Sequence, residues 1–250
     1  MKKTVLLIGL MLAGYLSFSQ DNTSGTIVYE QTIKMEIKME GEAAQFAAMM
    51  PKERKSAKVL YFNGHQSLYE NKKATDQEDV TMQSGGATVM VRMADPENKV
   101  YTDIAGKKQI EMKEFMTRTF LIDRDISYSW KMTGNQKMIQ EYPCQEATCT
   151  DGDKKVVAWF TPVIPVSTGP GKYGGLPGLI LSVELDSGKN VTIIKTIDLS
   201  PVAKDKIVIP EKGKKVTNEE FDKIVEEKMK EMGGPAGGAR GNAVFIRIQK

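Results

Sequence analysis

Two stretches of this chain decide its fold: Val156-Val157-Ala158-Trp159-Phe160-Thr161-Pro162-Val163-Ile164-Pro165-Val166 and Gly174-Gly175-Leu176-Pro177-Gly178-Leu179-Ile180, which runs on into Leu181-Ser182-Val183-Glu184-Leu185. The first is a β-branched and aromatic run whose two prolines confine it to a sheet edge or an extended crossover. The last alternates as a strand does. Between them Pro177 fixes φ near −65° and Gly178 accepts positive φ, so Leu176-Pro177-Gly178-Leu179 suits a type II turn. The unit therefore reads as strand, rigid extended loop, glycine turn, strand. A phosphate-binding reading of Gly169 to Gly175 fails, because the Lys-Ser/Thr pair is missing and a strand, not a helix N-terminus, follows.

Outward from this unit the chain keeps alternating. Ile27, Tyr29, Ile33, Met35, Ile37 and Met39 fall on one face of a long half-buried strand over 26–39. Residues 42–54 read as a short helix ended or kinked at Pro51. Asn63-Gly64 between Val59-Leu60-Tyr61-Phe62 and Ser67-Leu68-Tyr69 is a hairpin signal. Further strands are expected at 88–93, 118–123, 127–133, 137–149, 154–161, 179–186, 190–198 and 205–209, the spacing of an antiparallel meander. Thr217-Asn218-Glu219-Glu220 is a capping box that opens a helix with Phe221, Ile224, Val225, Met229 and Met232 on one stripe, stopped at Gly233-Gly234-Pro235. The expected fold is mainly β, an antiparallel sheet with an apolar side and one capped C-terminal helix; a β-sandwich is the alternative.

Lys2-Lys3, the apolar run from Val5 to Ala13 and Ser17-Phe18-Ser19 read as a signal peptide over 1–19, which places the mature chain in the periplasm or outside the cell. The apolar run is too short for a spanning helix and no cysteine follows it directly to take a lipid, so an integral membrane protein is not expected. A single β domain over 20–232, a glycine-rich linker over 233–241 and a terminal strand over 242–250 complete the division. The formal charge is only +3, two units of it in the leader, and offers no footprint for nucleic acid. Cys144 and Cys149 stand five apart; within one strand they point to opposite faces roughly 16 Å apart at ~3.3 Å per residue. That is beyond disulfide reach unless a bulge at Pro143 or a turn intervenes.

The chain resembles the GLPGLI family of secreted proteins from Gram-negative bacteria, a family of unknown function. The resemblance rests on Gly175-Leu176-Pro177-Gly178-Leu179-Ile180 together with Trp130-Lys131-Met132-Thr133, Tyr142-x-Cys144, Ala158-Trp159-Phe160-Thr161-Pro162, Ile164-Pro165 and Gly169-Pro170, and spans at least residues 99–198. Gly174, Gly175, Leu176, Pro177 and Gly178 form its signature turn. The resemblance implies that the sheet is a long, curved antiparallel one, a half-barrel with an apolar concave side like those of periplasmic lipoprotein carriers, and lends no catalytic residue.

His65 is the only histidine, beside a hairpin tip, where a solvated turn residue outweighs a catalytic base. One histidine and two cysteines do not close a zinc site. No cofactor is expected, and no enzyme. Methionine is the anomaly, with 15 in the chain, many in pairs. Thioethers are flexible fillers of adaptable apolar surfaces and also soft ligands for Cu(I). Met35, Met39, Met90, Met93, Trp130 and Trp159 are the expected lining for an apolar ligand, a lipid or lipidated chain. Met35 and Met39 are the ligands a copper-handling alternative would use, and an envelope protein partner engaging an exposed strand is the other alternative.

Overall fold

A computed structural model describes residues 22–35, 51–72, 80–84, 87–91 and 95–231. Twelve strands form one sheet: β1 (Gly25–Lys34), β2 (Glu53–Phe62), β3 (Gln66–Asn71), β6 (Asn98–Asp103), β7 (Lys108–Phe115), β8 (Arg118–Asp125), β9 (Lys131–Ile139), β10 (Tyr142–Asp151), β11 (Lys154–Thr161), β12 (Leu179–Leu185), β13 (Asn190–Asp198) and β14 (Lys214–Thr217). The strands β4 (Val80–Ser84) and β5 (Ala87–Val91) form a separate hairpin, and the one described α-helix, α1, is Asn218–Glu231. The large sheet runs β14-β8-β7-β6-β3-β2-β1-β13-β12-β11-β10-β9 and is not closed into a barrel. Every neighbouring pair is antiparallel except β14 with β8.

The sheet has to curl. β8 and β9 are ten strand steps apart in the sheet order, about 48 Å in a flat sheet at ~4.8 Å per step. They are joined by residues 126–130 alone, a connector that reaches at most ~22 Å. Lys172 makes the same point: its carbonyl oxygen accepts from Gln109 Nε2 on β7 at 3.0 Å while its Nζ donates to Asp151 on β10 at 2.9 Å. The two edges are thus brought round toward one another without pairing.

Opposed residues share a face of a sheet, so the register traces what lies on the inner side. One ladder runs Ile27, Leu60, Tyr69, Val100, Glu111, Ile122 and Val216. The ladder beside it is polar beyond its first member: Phe62, Ser67, Thr102, Gln109 and Arg124. The core accordingly has an apolar part, with Ile27, Tyr29, Leu60, Phe62, Trp159, Leu179 and Leu181, and a second part around Ala158, Phe160, Tyr173, Leu176 and Ile180. Helix α1 adds a third, where Phe221 meets Phe115 and Phe120 edge-on at 6.0 and 5.3 Å between ring centres. The capping box forms as the sequence predicts: Thr217 N donates to Glu220 Oε2 at 2.9 Å and Glu220 N to Thr217 Oγ1 at 3.2 Å. On the opposite face Val59, Leu68, Tyr101, Met112 and Leu121 are buried as well. Residues 199–213 pass over that side to deliver β14 to the far edge, and this crossover is why its pairing is parallel.

Several local expectations change. The predicted strand over 137–149 is two strands, broken at Gln140, whose φ of 53° turns the chain without a glycine. Residues 127–130 are connector, not strand. Residues 205–209 form no ladder; a 3₁₀ turn occupies Lys204–Lys206. Glu53 and Arg54, read as the end of a helix, open β2; the rest of that stretch up to 50 lies outside the described residues, as do the residues expected to form a leader, a linker and a terminal strand. Leu176-Pro177-Gly178 is a γ-turn, not type II: Gly178 N donates to Leu176 O at 2.8 Å. Cys144 and Cys149 sit on one strand as free buried thiols in different parts of the core.

Candidate functional site

The inner side of the curled sheet is occupied by the chain's own β11–β12 connection, residues 162–178. Ile164, Val166, Tyr173 and Leu176 enter the core, and the polar ladder receives the backbone and hydroxyls between them. Thr168 Oγ1 meets Ser67 Oγ at 2.7 Å, Gln109 Nε2 donates to Lys172 O, and Trp130 Nε1 donates to Gly174 O at 2.8 Å. Trp130 packs at a tilt against Tyr128, 5.8 Å between ring centres, and Tyr128 against Tyr173 at 5.3 Å. Tyr173 Oη and Lys172 Nζ both donate to Asp151.

The signature residues now have physical reasons. A Cβ on Gly178, at φ +153°, would stand 2.1 Å from Thr161 O, and one on Gly169 would stand 2.6 Å from Ile180 Cβ. Gly175 adopts φ +86°. The signature seats the connection against the sheet; none of its residues presents a reactive group.

Buried charges on the inner side are paired. Asp95 accepts from Lys58 Nζ at 2.8 Å and from Arg54; burial pushes its carboxyl up, but Lys58 and Arg54 outweigh this and hold it below the usual range. Glu111 is opposed by burial in the same way and is held low by Lys113, Arg124 and Lys172. Asp151 is held low by Lys172 and Tyr173 against its burial. Beside Glu111, Asn98 Oδ1, Gln109 Oε1 and Arg124 Nε are buried without a hydrogen-bond partner. Among the described residues no three His, Cys, Asp or Glu side chains gather as a metal site would require, and His65 is exposed in the β2–β3 turn.

Of the residues expected as an apolar lining, Trp159, Trp130 and Met35 have described side chains. Trp159 lies in the apolar core, 8% exposed, and Trp130 packs against the second part. Met35 is half-buried at the end of β1. Met90 belongs to β5, of which the backbone is described, and Met39 and Met93 lie outside the described residues.

Among the described residues large apolar side chains are exposed in two places, Val208 and Ile209 on the segment that crosses the outer face and the edge formed by β9 and β10. Met132 and Met138 are 50% and 60% exposed, and Val163 nearby in sequence to Pro162 is 44% exposed. An open cleft of about 290 Å³ lies here; Gln136, Met138, Pro143 and Gln145 line it from one face of the strand pair and Lys137 and Cys144 from the other, with Pro162 beside them. Met138 is directly opposite Pro143, and Gln136 directly opposite Gln145. Lys137 Nζ stands 4.0 Å over the ring of Trp159, within the range of a cation–π contact, so its stem roofs the tryptophan. The β9 strand bulges at Thr133–Asn135, with Gly134 at φ +84° and Asn135 Nδ2 bonded to Glu146 at 3.0 Å. Alternation within β9 was hidden by this bulge and by the undetected turn at Gln140.

Residues 150–182 match the model of a family described as a protein of unknown function (Porph_ging), a segment that takes in β11, the inner connection and the first part of β12. No curated protein matches the chain. Solved structures of PNGF-II share the fold: one in space group P21 has a TM-score of 0.53 at 12% identity over 81% of this chain and 33% of that one. The C2 form has a TM-score of 0.51 at 12% identity over 81% and 32%. This chain thus spans about a third of PNGF-II's length, and at such identity the likeness concerns the fold alone. No described helix is long and apolar enough to cross a membrane.

Proposed function

We propose that this chain is an exported, non-enzymatic cell-envelope protein that binds the apolar chain of a lipid or lipidated molecule at its β9–β10 edge. The observation that carries the reading is the exposure of Met138 in the lining of an open cleft, with Met132 also exposed on the same strand, in a sheet whose inner side is already filled by residues 162–178. Methionine is the side chain that adapts to ligands of varied shape. At about 290 Å³ the cleft is near the lower limit of the roughly 300–1,000 Å³ of small-molecule sites, enough for part of an acyl chain with the remainder in water or on a partner. The bulge at Gly134 and the lysines 131 and 137 guard the strand edge against backbone pairing, which favours recognition by side chains. The leader-like first 19 residues and the GLPGLI-like signature support export. The burial and pairing of the acidic groups and the exposure of the lone histidine favour binding over catalysis.

The test is titration of the purified chain with a fluorescent acyl probe. Met138→Gln with Met132→Gln is expected to weaken binding roughly 10-fold, since two thioether contacts are replaced by amides, while Met35→Gln leaves it unchanged. Equal binding by all three proteins would remove the edge from consideration.

A further inference from the structure

We propose that Lys58 and Asn71 are the reactants of an intramolecular isopeptide bond, joined Nζ to Cγ across β2 and β3 with Asp95 as the proton carrier. The two residues are directly opposed in the β2–β3 ladder, which sets their side chains on one face within reach of each other. Lys58 Nζ donates to Asn71 Oδ1 at 2.7 Å and to Asp95 Oδ2 at 2.8 Å. Nucleophile, acyl group and proton carrier therefore meet at one nitrogen. The orientation of the amide is fixed, because Asn71 Nδ2 donates to the carbonyl of Pro96 at 2.8 Å and neither that carbonyl nor an ammonium can exchange roles. Arg54 takes the other oxygen of Asp95, which leaves Oδ2 directed at Lys58.

The surroundings suit the attack. Lys58 is 7% exposed, the only buried lysine among residues with described side chains, and buried Tyr29 stands directly opposite it on β1. Burial pushes its ammonium down, against the pull of Asp95, so the uncharged amine is easier to reach than in water. A desolvated lysine is the form in which this side chain acts as a nucleophile. An amide is a poor acyl donor in bulk solution; holding the amine and the proton carrier against it turns a bimolecular encounter into a step within one molecule.

The step balances without a co-reactant. Asp95 takes a proton from Nζ, the freed lone pair forms the bond to Cγ, and the carbonyl electrons move to Oδ1. Asp95 passes that proton to Nδ2 and takes a second from Nζ. As the carbonyl reforms, the Cγ–Nδ2 bond breaks and ammonia leaves, carrying the second proton away as ammonium. Nothing is oxidised or reduced.

The test is a peptide map of the full chain, held folded at neutral pH until its mass is constant. Trypsin should fail to cut after Lys58 and should release residues 56–72 as one peptide, lighter by about 17 Da for the ammonia lost. Chymotryptic cleavage at Tyr61 or Phe62 should leave its two pieces joined. A succinimide at Asn63-Gly64 loses the same mass but leaves Lys58 cleavable and the pieces separate. That pattern, or residues 59–72 recovered at full mass, would overturn the proposal. The chain held in urea over the same period should stay unbonded, because the ladder places the reactants; bonding there at the same rate would overturn the role of the fold. Lys58→Arg should keep the full mass. Asp95→Asn retains both reactants and should slow bond formation roughly 100-fold, the order of a general acid–base contribution; formation at the parent's rate in the folded variant would remove Asp95 from the step. The parent's map decides the bond itself even where a variant fails to fold.

Discussion

Replacing Gly178 by alanine tests the physical meaning of the signature turn. The added Cβ would stand 2.1 Å from Thr161 O, 2.8 Å from Thr161 C and 3.1 Å from Pro162 Cα. These are backbone atoms, and they have little room to retreat: Thr161 is paired with Leu179 across β11 and β12, and Leu179 N donates to Ile164 O at 2.9 Å. A φ of +153° adds a conformational cost of about 1–3 kcal/mol for a residue with a Cβ. Overpacking against fixed neighbours adds about 1–3 kcal/mol, so the loss should be roughly 2–6 kcal/mol, a large share of the 5–15 kcal/mol typical of a whole domain. Gly171→Ala is the matched control, since φ is +63° there but nothing lies within 4 Å of the added atom; it should lose only about 1–2 kcal/mol. Urea unfolding of the three proteins gives the comparison through the midpoint and slope. If Gly178→Ala and Gly171→Ala unfold within about 0.5 kcal/mol of each other, the close approach of Thr161 is not what the glycine serves.

Removing the Trp130 Nε1 donor with Trp130→Phe should cost about 1–2 kcal/mol, because Gly174 O is left without its 2.8 Å partner; an unchanged unfolding midpoint would contradict this. Asp95, Glu111 and Asp151 have folded-state pKa values below their ordinary range. The unfolded chain therefore binds more protons in acid, and stability is fully present above about pH 5 and falls progressively below about pH 4. A urea midpoint that stays constant from pH 6 to pH 3 would refute it. Cys144 and Cys149 are pushed up to about 11 by burial, so a thiol reagent at pH 7.5 should label neither in the folded protein and both in urea, as mass spectrometry would show.

What the sequence reveals and what it conceals divide along the range of the interactions. Strands such as 190–198 and 154–161 are legible because alternation and β-branching are local, and the helix is legible because Thr217 and Glu220 are three residues apart. The break at Gln140 carries no glycine, proline or asparagine, so a left-handed turn there has no local signal. Residues 205–209 have strand composition, yet they cross the sheet to reach an edge and find no partner. The ladder Ser67, Thr102, Gln109 and Arg124 is invisible for the same reason: each member is an ordinary polar residue, and only the register of four strands sets them in line beneath residues 162–178. Counting methionines found an unusual resource but not its location. Those at 132 and 138 lie on an exposed edge, whereas Met112 is buried on the outer face of the sheet.

The most direct test of apolar-chain binding at the β9–β10 edge is a methyl NMR spectrum of the chain labelled with ¹³C-methyl methionine, recorded as dodecanoate is added. The signals of Met132 and Met138, assigned by single Met→Leu replacements, should move in proportion to one binding isotherm while that of the buried Met112 stays in place. Movement of Met112 or Met35 with Met132 and Met138 unmoved would contradict the account.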